Sequence, residues 1–238
     1  MILVPSPPPP GSAAARLSGA LAARGHAVGA AAPRGTVTTL FVCPAPSQAL
    51  PDPRAWLRAG GGAAPDRLLV VTRLGTHPDA LSPRLRECWA LEEAARASGL
   101  PVLVLRPGPM LGPASPTWLR LAAGLSLPRQ GAKLVNPVAE ADVVETLDRA
   151  LAGRVPWEGC YEVAGPEVWS LAELVDLARS AGPSGGPAGG WEPPLAEIEE
   201  HRLAEAGPWL SHFGLCPRPL RELVHAARLA GRPDPTEE

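Results

Sequence analysis

RLLVVTRLG at residues 67–75 and PVLVLRPGPMLGP at residues 101–113 decide the fold of this chain. Each segment contains a run of Leu and Val that is typical of a strand buried on both faces of a sheet. Residues 82–98 between them have the charge pattern of an amphipathic helix, and Gly99 follows as a helix stop. A strand, a helix and a second strand in this order predict a parallel βαβ unit.

The flanking sequence extends this unit in both directions. Further buried strands are predicted in MILV (1–4), HAVGAAAP (26–33), TVTTLFVC (36–43) and CYEVAG (160–165), and helices at 12–25, 52–59, 118–123, 140–151 and 170–181. SLAE at 170–173 has the pattern of a capping box. The sequence therefore predicts an α/β fold with a doubly wound parallel sheet and a small, mostly helical C-terminal part.

The domain organisation is predicted from the point at which this alternation weakens. Residues 1–113 are expected to form a truncated core. Residues 114–238 are expected to supply the remaining elements of that core and a small C-terminal subdomain of the kind that binds substrate. A Gly- and Pro-rich stretch near residues 182–192 has the composition of a flexible linker.

Composition and charge exclude several classes of function. With 22 basic and 24 acidic residues, the chain has a net charge of -2 and no basic stripe for nucleic acid. No apolar run reaches the length of a membrane span, so a soluble cytoplasmic protein is expected. The four cysteines are far apart in sequence and are expected to be reduced thiols, and the spacing of the histidines predicts no metal site.

Several segments, in order and spacing, carry a resemblance to a known family. They are RGHAV (24–28), RLLVVTRLGTHPDA (67–80), VLVLRPGPMLGP (102–113), NPVAEADVVETLDRAL (136–151), GCYEVAGPEVWSLAELV (159–175) and LSHFGLCPRPLRELV (210–224). Together they resemble the NmrA-like branch of the atypical, extended short-chain dehydrogenases/reductases. That branch includes NAD(P)-binding oxidoreductases, redox-sensing regulators and an accessory subunit of mitochondrial complex I. The resemblance implies a Rossmann-type fold.

The family's phosphate-binding loop, T-G-x-x-G-x-x-G, is replaced here by PSPPPPGSAAA at residues 5–15. Its three glycine positions fall near Pro8, Gly11 and Ala14. Proline has no N–H to donate to a phosphate, so a stiff polyproline connector is one interpretation. In the other, Gly11 and Ser12 still present a helix N-terminus to an anion. We therefore expect no cofactor, or NAD(P) if any.

The adenosine side of the fold is also shortened. Only a few residues, including PRG at 33–35, join the second strand to TVTTLFVC, too few for a crossover helix. Either the family's third strand and its helix are absent, or TVTTLFVC pairs differently. Arg34 lies near the position that meets the 2′-phosphate of NADP in the family, although a solvated loop arginine is the alternative.

The catalytic residues implied by the family are replaced as well. Short-chain dehydrogenases use a Ser, a Tyr as acid/base and a Lys four residues later. Here Arg84 stands for the Tyr, Cys88 for the Lys, and Thr72 or Arg73 for the Ser. Arginine cannot give up its proton at working pH. Cys88 is either an inert buried thiol or, beside two arginines, an activated one.

Three further features complete the set of predictions. Gly108 and Gly112 lie on the loop that lines the substrate cleft in the family, so a vestigial cleft for a small molecule is expected. Asp142 is expected to cap a helix. The chain has seven Trp, which fit either a protein interface or packing within the domain.

Taken together, the replacements predict a catalytically silent, NAD(P)-binding-type protein that acts as a binding, regulatory or accessory subunit, with a protein partner or larger complex. The alternative is an NAD(P)-dependent oxidoreductase or an epimerase/isomerase. A small-molecule sensor is the third hypothesis.

Overall fold

A computed structural model describes residues 1–4, 8, 10–29, 37–43, 52, 65–112, 115–122, 131–180 and 201–230. The predictions for Arg34, the helix at 52–59 and the linker at 182–192 concern residues that lie outside these ranges, apart from Asp52.

Six parallel strands form the central sheet. They are β1 (Ile2–Leu3), β2 (Val28–Gly29), β3 (Thr38–Val42), β4 (Arg67–Val71), β5 (Val102–Pro107) and β9 (Cys160–Val163), in the order β2-β1-β3-β4-β5-β9. The long central strands pair in register, from Thr38 opposite Arg67 to Val42 opposite Val71. The two short sheets are made by β6 (Met110–Leu111) with β8 (Val138–Ala139), and by β7 (Leu134–Val135) with β10 (Trp169–Ser170).

Seven helices are seen in the described part of the chain. They are α1 (Ala13–Ala23), α2 (Pro83–Arg96), α3 (Pro116–Ala122), α4 (Glu140–Leu151), α5 (Leu171–Ser180), α6 (Gly207–Phe213) and α7 (Leu220–Ala230). Helices α1 and α4 supply apolar residues to one core cluster with the sheet, and α2 supplies Leu91 and Ala95 to another. Helices therefore cover apolar strands on both faces, and the predicted doubly wound parallel sheet is confirmed.

The sheet confirms that the family's third strand unit is missing from the described residues. Strand β1 pairs with β2 on one side and with β3 on the other, and no described strand lies beyond β2. Chain order therefore reverses between β1 and β3. In open parallel sheets, ligands bind above such a reversal, at the carboxyl ends of the strands.

Several of the described tryptophans pack within the domain. Trp118, Trp169 and Trp209 are all buried, and the first two lie in a separate core cluster formed mainly by α3, α5 and α7. Trp157 donates from Nε1 to the carbonyl of Leu68, at 3.1 Å. Among the described residues, these three buried side chains therefore belong to the interior of the domain.

The capping box predicted at residues 170–173 has the expected geometry. Ser170 and Glu173 form the capping box, since the Ser170 N–H donates to Glu173 Oε2 at 2.7 Å and the Glu173 N–H to Ser170 Oγ at 3.2 Å. The capping role predicted for Asp142 is wrong. Its carboxylate is buried in the first turn of α4 and accepts the backbone N–H of Arg218 at 2.8 Å, so it fastens the C-terminal part to α4.

Candidate functional site

The start of α1 lies at the carboxyl end of β1, beside the reversal in chain order. Gly11 has a φ of 75°, a left-handed conformation that glycine adopts without strain. Ser12 is the N-cap, and its hydroxyl accepts the N–H of Ala15 at 3.2 Å. The N–H groups of Ala13 and Ala14 precede the first intrahelical donors and face out of the helix start. Such a helix start attracts an anion.

An ion pair flanks this helix start. Arg16 Nε contacts both carboxylate oxygens of Glu140, at 2.9 and 3.1 Å. Its Nη1 donates to the carbonyl of Gly11 at 2.7 Å. Arg16 therefore holds the Gly11 turn in place and links the start of α1 to the start of α4. Neither Arg16 nor Glu140 was singled out from the sequence, because 124 residues separate them.

Thr72 follows β4 at the carboxyl edge of the sheet, where a catalytic serine would be expected. Its hydroxyl is buried and donates to Glu92 on α2 at 2.6 Å. Glu92 has no exposed surface and also accepts from Arg106 at 2.6 and 3.0 Å and from Arg96 at 3.2 Å. The Thr72 hydroxyl is thus part of a buried charge network that ties β4 and β5 to α2.

Arg84 and Cys88 are one turn apart on α2. The Arg84 side chain is 8% exposed and makes an ion pair with Glu87 at 2.9 Å. Cys88 is fully buried, and its Sγ lies 3.0 Å from Sγ of Cys43, the residue that follows β3. Thr72, Arg84 and Cys88 are therefore all buried. Helix α2 supplies Glu92 to Thr72 and Glu87 to Arg84, whereas Cys88 contacts Cys43.

Cys43 is the member of this group that the sequence analysis missed. The place of Cys43 in the fold could have been predicted, because it directly follows a buried strand and so lies at the edge where ligands bind in parallel sheets. Its contact with Cys88 could not have been predicted from local sequence, since the two residues are 45 positions apart.

Tyr161, the only tyrosine of the chain, takes no part in this group. It lies in the amino half of β9 and stacks on His212, with ring centroids 4.6 Å apart, and against the edge of Phe213 at 5.4 Å. Burial is the main cause that raises its pKa. Its contacts join the sheet to α6.

The loop after β5 packs closely against Asn136 at the same edge of the sheet. A Cβ atom on Gly108 would meet the carbonyl oxygen of Asn136 at 2.0 Å, so only glycine fits there. Asn136 in turn donates to the carbonyl of Glu167 at 3.0 Å and accepts the N–H of Ala204 at the same distance. A Cβ on Gly112 would meet Cβ of Glu140 at 3.7 Å, so this loop also lies beside the Arg16–Glu140 pair.

Among the described residues, no group of three or more His, Cys, Asp or Glu side chains is arranged to hold a metal ion. No described helix is long and apolar enough to cross a membrane.

The sheet order and the turn at the start of α1 define a Rossmann-type α/β protein. Several solved structures share this fold along nearly the whole chain. MoeE5 in complex with UDP-glucose and NAD matches with a TM-score of 0.67 at 18% sequence identity, over 96% of this chain and 97% of MoeE5. UDP-glucuronic acid 4-epimerase from Bacillus cereus, in complex with UDP-glucuronic acid and NAD, matches with a TM-score of 0.66 at 15% identity, over 95% and 97% of the two chains.

A third similar structure is TunA, an NAD-dependent NDP-hexosamine 5,6-dehydratase, with a TM-score of 0.61 at 17% identity over 98% of each chain. No protein-family model and no curated protein sequence matches the chain. At these identities the comparisons show the fold alone. Membership of the NmrA-like branch stays a prediction.

Proposed function

We propose that this chain binds an NAD(P)-type dinucleotide at the carboxyl edge of its sheet, with the pyrophosphate at the start of α1. The observation that carries the proposal is the Gly11 turn followed by the outward N–H groups of Ala13 and Ala14. Glycine lets the backbone approach the phosphates, and the helix start supplies donors and positive dipole. The replacement of the family's first loop glycine by Pro8 removes one donor, which is expected to weaken the binding.

We further propose that the bound dinucleotide is not used for tyrosine-based hydride transfer. Such transfer needs a proton donor and acceptor beside the nicotinamide. A guanidinium group, such as that of Arg84, does not serve as an acid/base in proteins. Cys88 is buried against Cys43. The Thr72 hydroxyl donates to Glu92. A binding, regulatory or accessory role, with a protein partner or larger complex, fits a nucleotide site that lacks these groups.

The first test is a calorimetric titration of the protein with NAD+, NADH, NADP+ and NADPH. Dissociation constants in the micromolar range are expected for at least one of them. No heat of binding at millimolar concentrations would contradict the proposal. The oxidised and reduced forms are compared because a sensor of the redox state would distinguish between them.

A second candidate function is an active NAD-dependent epimerase or dehydratase that acts on a nucleotide sugar. The similar structures favour it, because those named above include complexes with NAD and with UDP-sugars. This candidate requires a proton-transfer group other than tyrosine. Incubation with NAD+ and UDP-glucose or UDP-glucuronic acid, followed by NMR of the sugar, would detect an epimerised, oxidised or dehydrated product. Turnover of the sugar would show that the protein is an enzyme and would contradict the proposed non-catalytic role. If the protein binds NAD+ but leaves the sugar unchanged, the non-catalytic role is supported.

A further inference from the structure

Cys43 and Cys88 form a buried pair of thiols at the edge of the sheet where a ligand would bind. Cys43 follows β3, and Cys88 lies in the second turn of α2. Their Sγ atoms are 3.0 Å apart, so one thiol donates a hydrogen bond to the other. A disulfide requires the sulfurs to approach to about 2.0 Å. A movement of about 1 Å would therefore join two elements that are distant in sequence.

Two arginines make the surroundings of this pair positive. The pKa of the Cys43 thiol is lowered, first by the hydrogen bond from Cys88 and then by the charges of Arg73 and Arg84, which together outweigh the effect of burial. The same hydrogen bond, with burial, raises the pKa of Cys88. These opposite directions, together with the small exposed surface of Cys43, favour Cys43 as the more acidic thiol of the pair.

The other two cysteines lack this arrangement. Cys160 and Cys216 are exposed, reduced thiols. The local contacts of Cys160 desolvate its sulfur and raise its pKa to about 11, so it is poorly nucleophilic although exposed. A cysteine pair with only a structural role needs no charged neighbours and can be surrounded by apolar side chains alone. The two neighbouring guanidinium groups distinguish Cys43 and Cys88 from such packing.

We propose that Cys43 and Cys88 are a redox-active dithiol that a small hydroperoxide oxidises to a disulfide. The Cys43 thiolate attacks one peroxide oxygen, an S–O bond forms, and the O–O bond breaks with release of water or an alcohol after protonation. Cys88 then gives up its proton, and its sulfur attacks Cys43, releasing water from the sulfenic acid. Two thiols are oxidised to one disulfide, and one hydroperoxide is reduced to water, or to water and an alcohol.

The order of the two steps follows from burial. Cys43 is 6% exposed and lies at the end of a strand, whereas Cys88 has no exposed surface. Cys43 is therefore the sulfur that a small oxidant reaches, and Cys88 is the resolving thiol. The product would covalently fasten β3 to α2 beside Thr72 and Arg84, the positions that replace the catalytic residues of the family. This site is independent of the dinucleotide proposed at α1.

The test treats the folded protein with hydrogen peroxide, quenches it in acid and alkylates the remaining thiols under denaturing conditions. Mass spectrometry of the peptides should find a disulfide between Cys43 and Cys88, with Cys160 and Cys216 alkylated. The double variant Cys160→Ser/Cys216→Ser, in which exposed serines replace exposed thiols, should give the same disulfide at the same rate. A pair that stays reduced under excess peroxide, or a disulfide that involves Cys160 or Cys216, would overturn the proposal.

Single variants of the pair test the assigned order. Cys88→Ala should leave a sulfenic acid on Cys43, which dimedone traps, and Cys43→Ala should leave Cys88 unmodified. Equal dimedone labelling of both variants would overturn the assignment of Cys43 as the attacking thiol. Circular dichroism shows whether each variant is folded. If a variant is not folded, the folded wild-type protein is alkylated with limiting iodoacetamide instead. Cys43 should then react before Cys88, and the reverse order would overturn the assignment of Cys43 as the attacking thiol.

Discussion

Glu92 is a fully buried carboxylate that Arg106, Arg96 and Thr72 surround. We predict that Glu92→Gln lowers the free energy of unfolding by about 3 kcal/mol, because Arg106 would lose its counter-charge in a half-buried position. The pKa of Arg106 indicates the strength of this pairing: burial lowers it, but the hydrogen bonds and charge of Glu92 outweigh that effect and leave it raised. Urea unfolding measures the difference.

Glu93 provides a matched control on the same helix. Its ion pair with Arg96 is exposed, with 52% of the Glu93 side chain accessible. Glu93→Gln should change the unfolding free energy by less than about 0.5 kcal/mol. If the two variants were equally stable, the network around Glu92 would not carry the stability assigned to it.

Gly108 and Gly19 are two glycines for which the structure predicts opposite effects of alanine. At Gly108 the new Cβ would lie 2.0 Å from a backbone oxygen, so Gly108→Ala should destabilise the fold by about 3 kcal/mol. At Gly19, inside α1, nothing lies within 4 Å, so Gly19→Ala should stabilise it by about 1 kcal/mol. Thermal melts of both variants check the signs, and a tolerated Gly108→Ala would contradict the close approach to Asn136.

An ion pair between Arg24, at the end of α1, and Glu145 of α4 makes the free energy of unfolding depend on pH. The pKa of Glu145 is lowered, first by its hydrogen bond to Arg149 and then by Arg24. A carboxyl group with a lowered folded pKa stabilises the fold above its unfolded pKa, and the effect is lost as pH falls through the folded pKa. Because the side chains of Arg24 and Glu145 are both partly exposed to solvent, we expect this contribution to be only about 0.5 kcal/mol.

Glu145→Gln tests this dependence. The variant should be less stable than wild type at neutral pH, and the difference should shrink as the pH falls through the lowered folded pKa of Glu145. Paired urea titrations across this pH range measure it. A difference that stays constant with pH would show that Glu145 acts through packing and not through its charge.

Local sequence signals predicted helices and strands well because their causes lie within a few residues. The 140–151 helix and the Ser170–Glu173 capping box were predicted from such patterns and are present. Partners far apart in sequence were not predictable in this way. The pairing of Cys43 with Cys88 and the bond of Asp142 to the Arg218 N–H depend on how α2 and the C-terminal part pack, which no local pattern specifies.

The molecule as a whole has the predicted doubly wound sheet, whereas several residues at its carboxyl edge differ from the pattern of the family that the sequence resembles. Apolar strands alone were enough to predict this sheet, because burial on both faces constrains their composition. Side chains at the edge are under no such constraint. Thr72, Arg84 and Cys88 were identified by their positions relative to the family pattern, and their bonds to Glu92, Glu87 and Cys43 became visible only in the folded chain.

Dinucleotide binding at the start of α1 is the central claim, and a single charge placed there tests it most directly. Ala13→Asp puts a carboxylate in the first turn, where it stabilises the helix but repels a phosphate. Ala13→Asn is the neutral control of the same size. In calorimetric titrations with NADH and NADPH, wild type and Ala13→Asn are predicted to bind, and Ala13→Asp to bind at least about tenfold more weakly, a difference of about 1.4 kcal/mol. Equal affinity of all three proteins, or no binding to wild type, would contradict the claim.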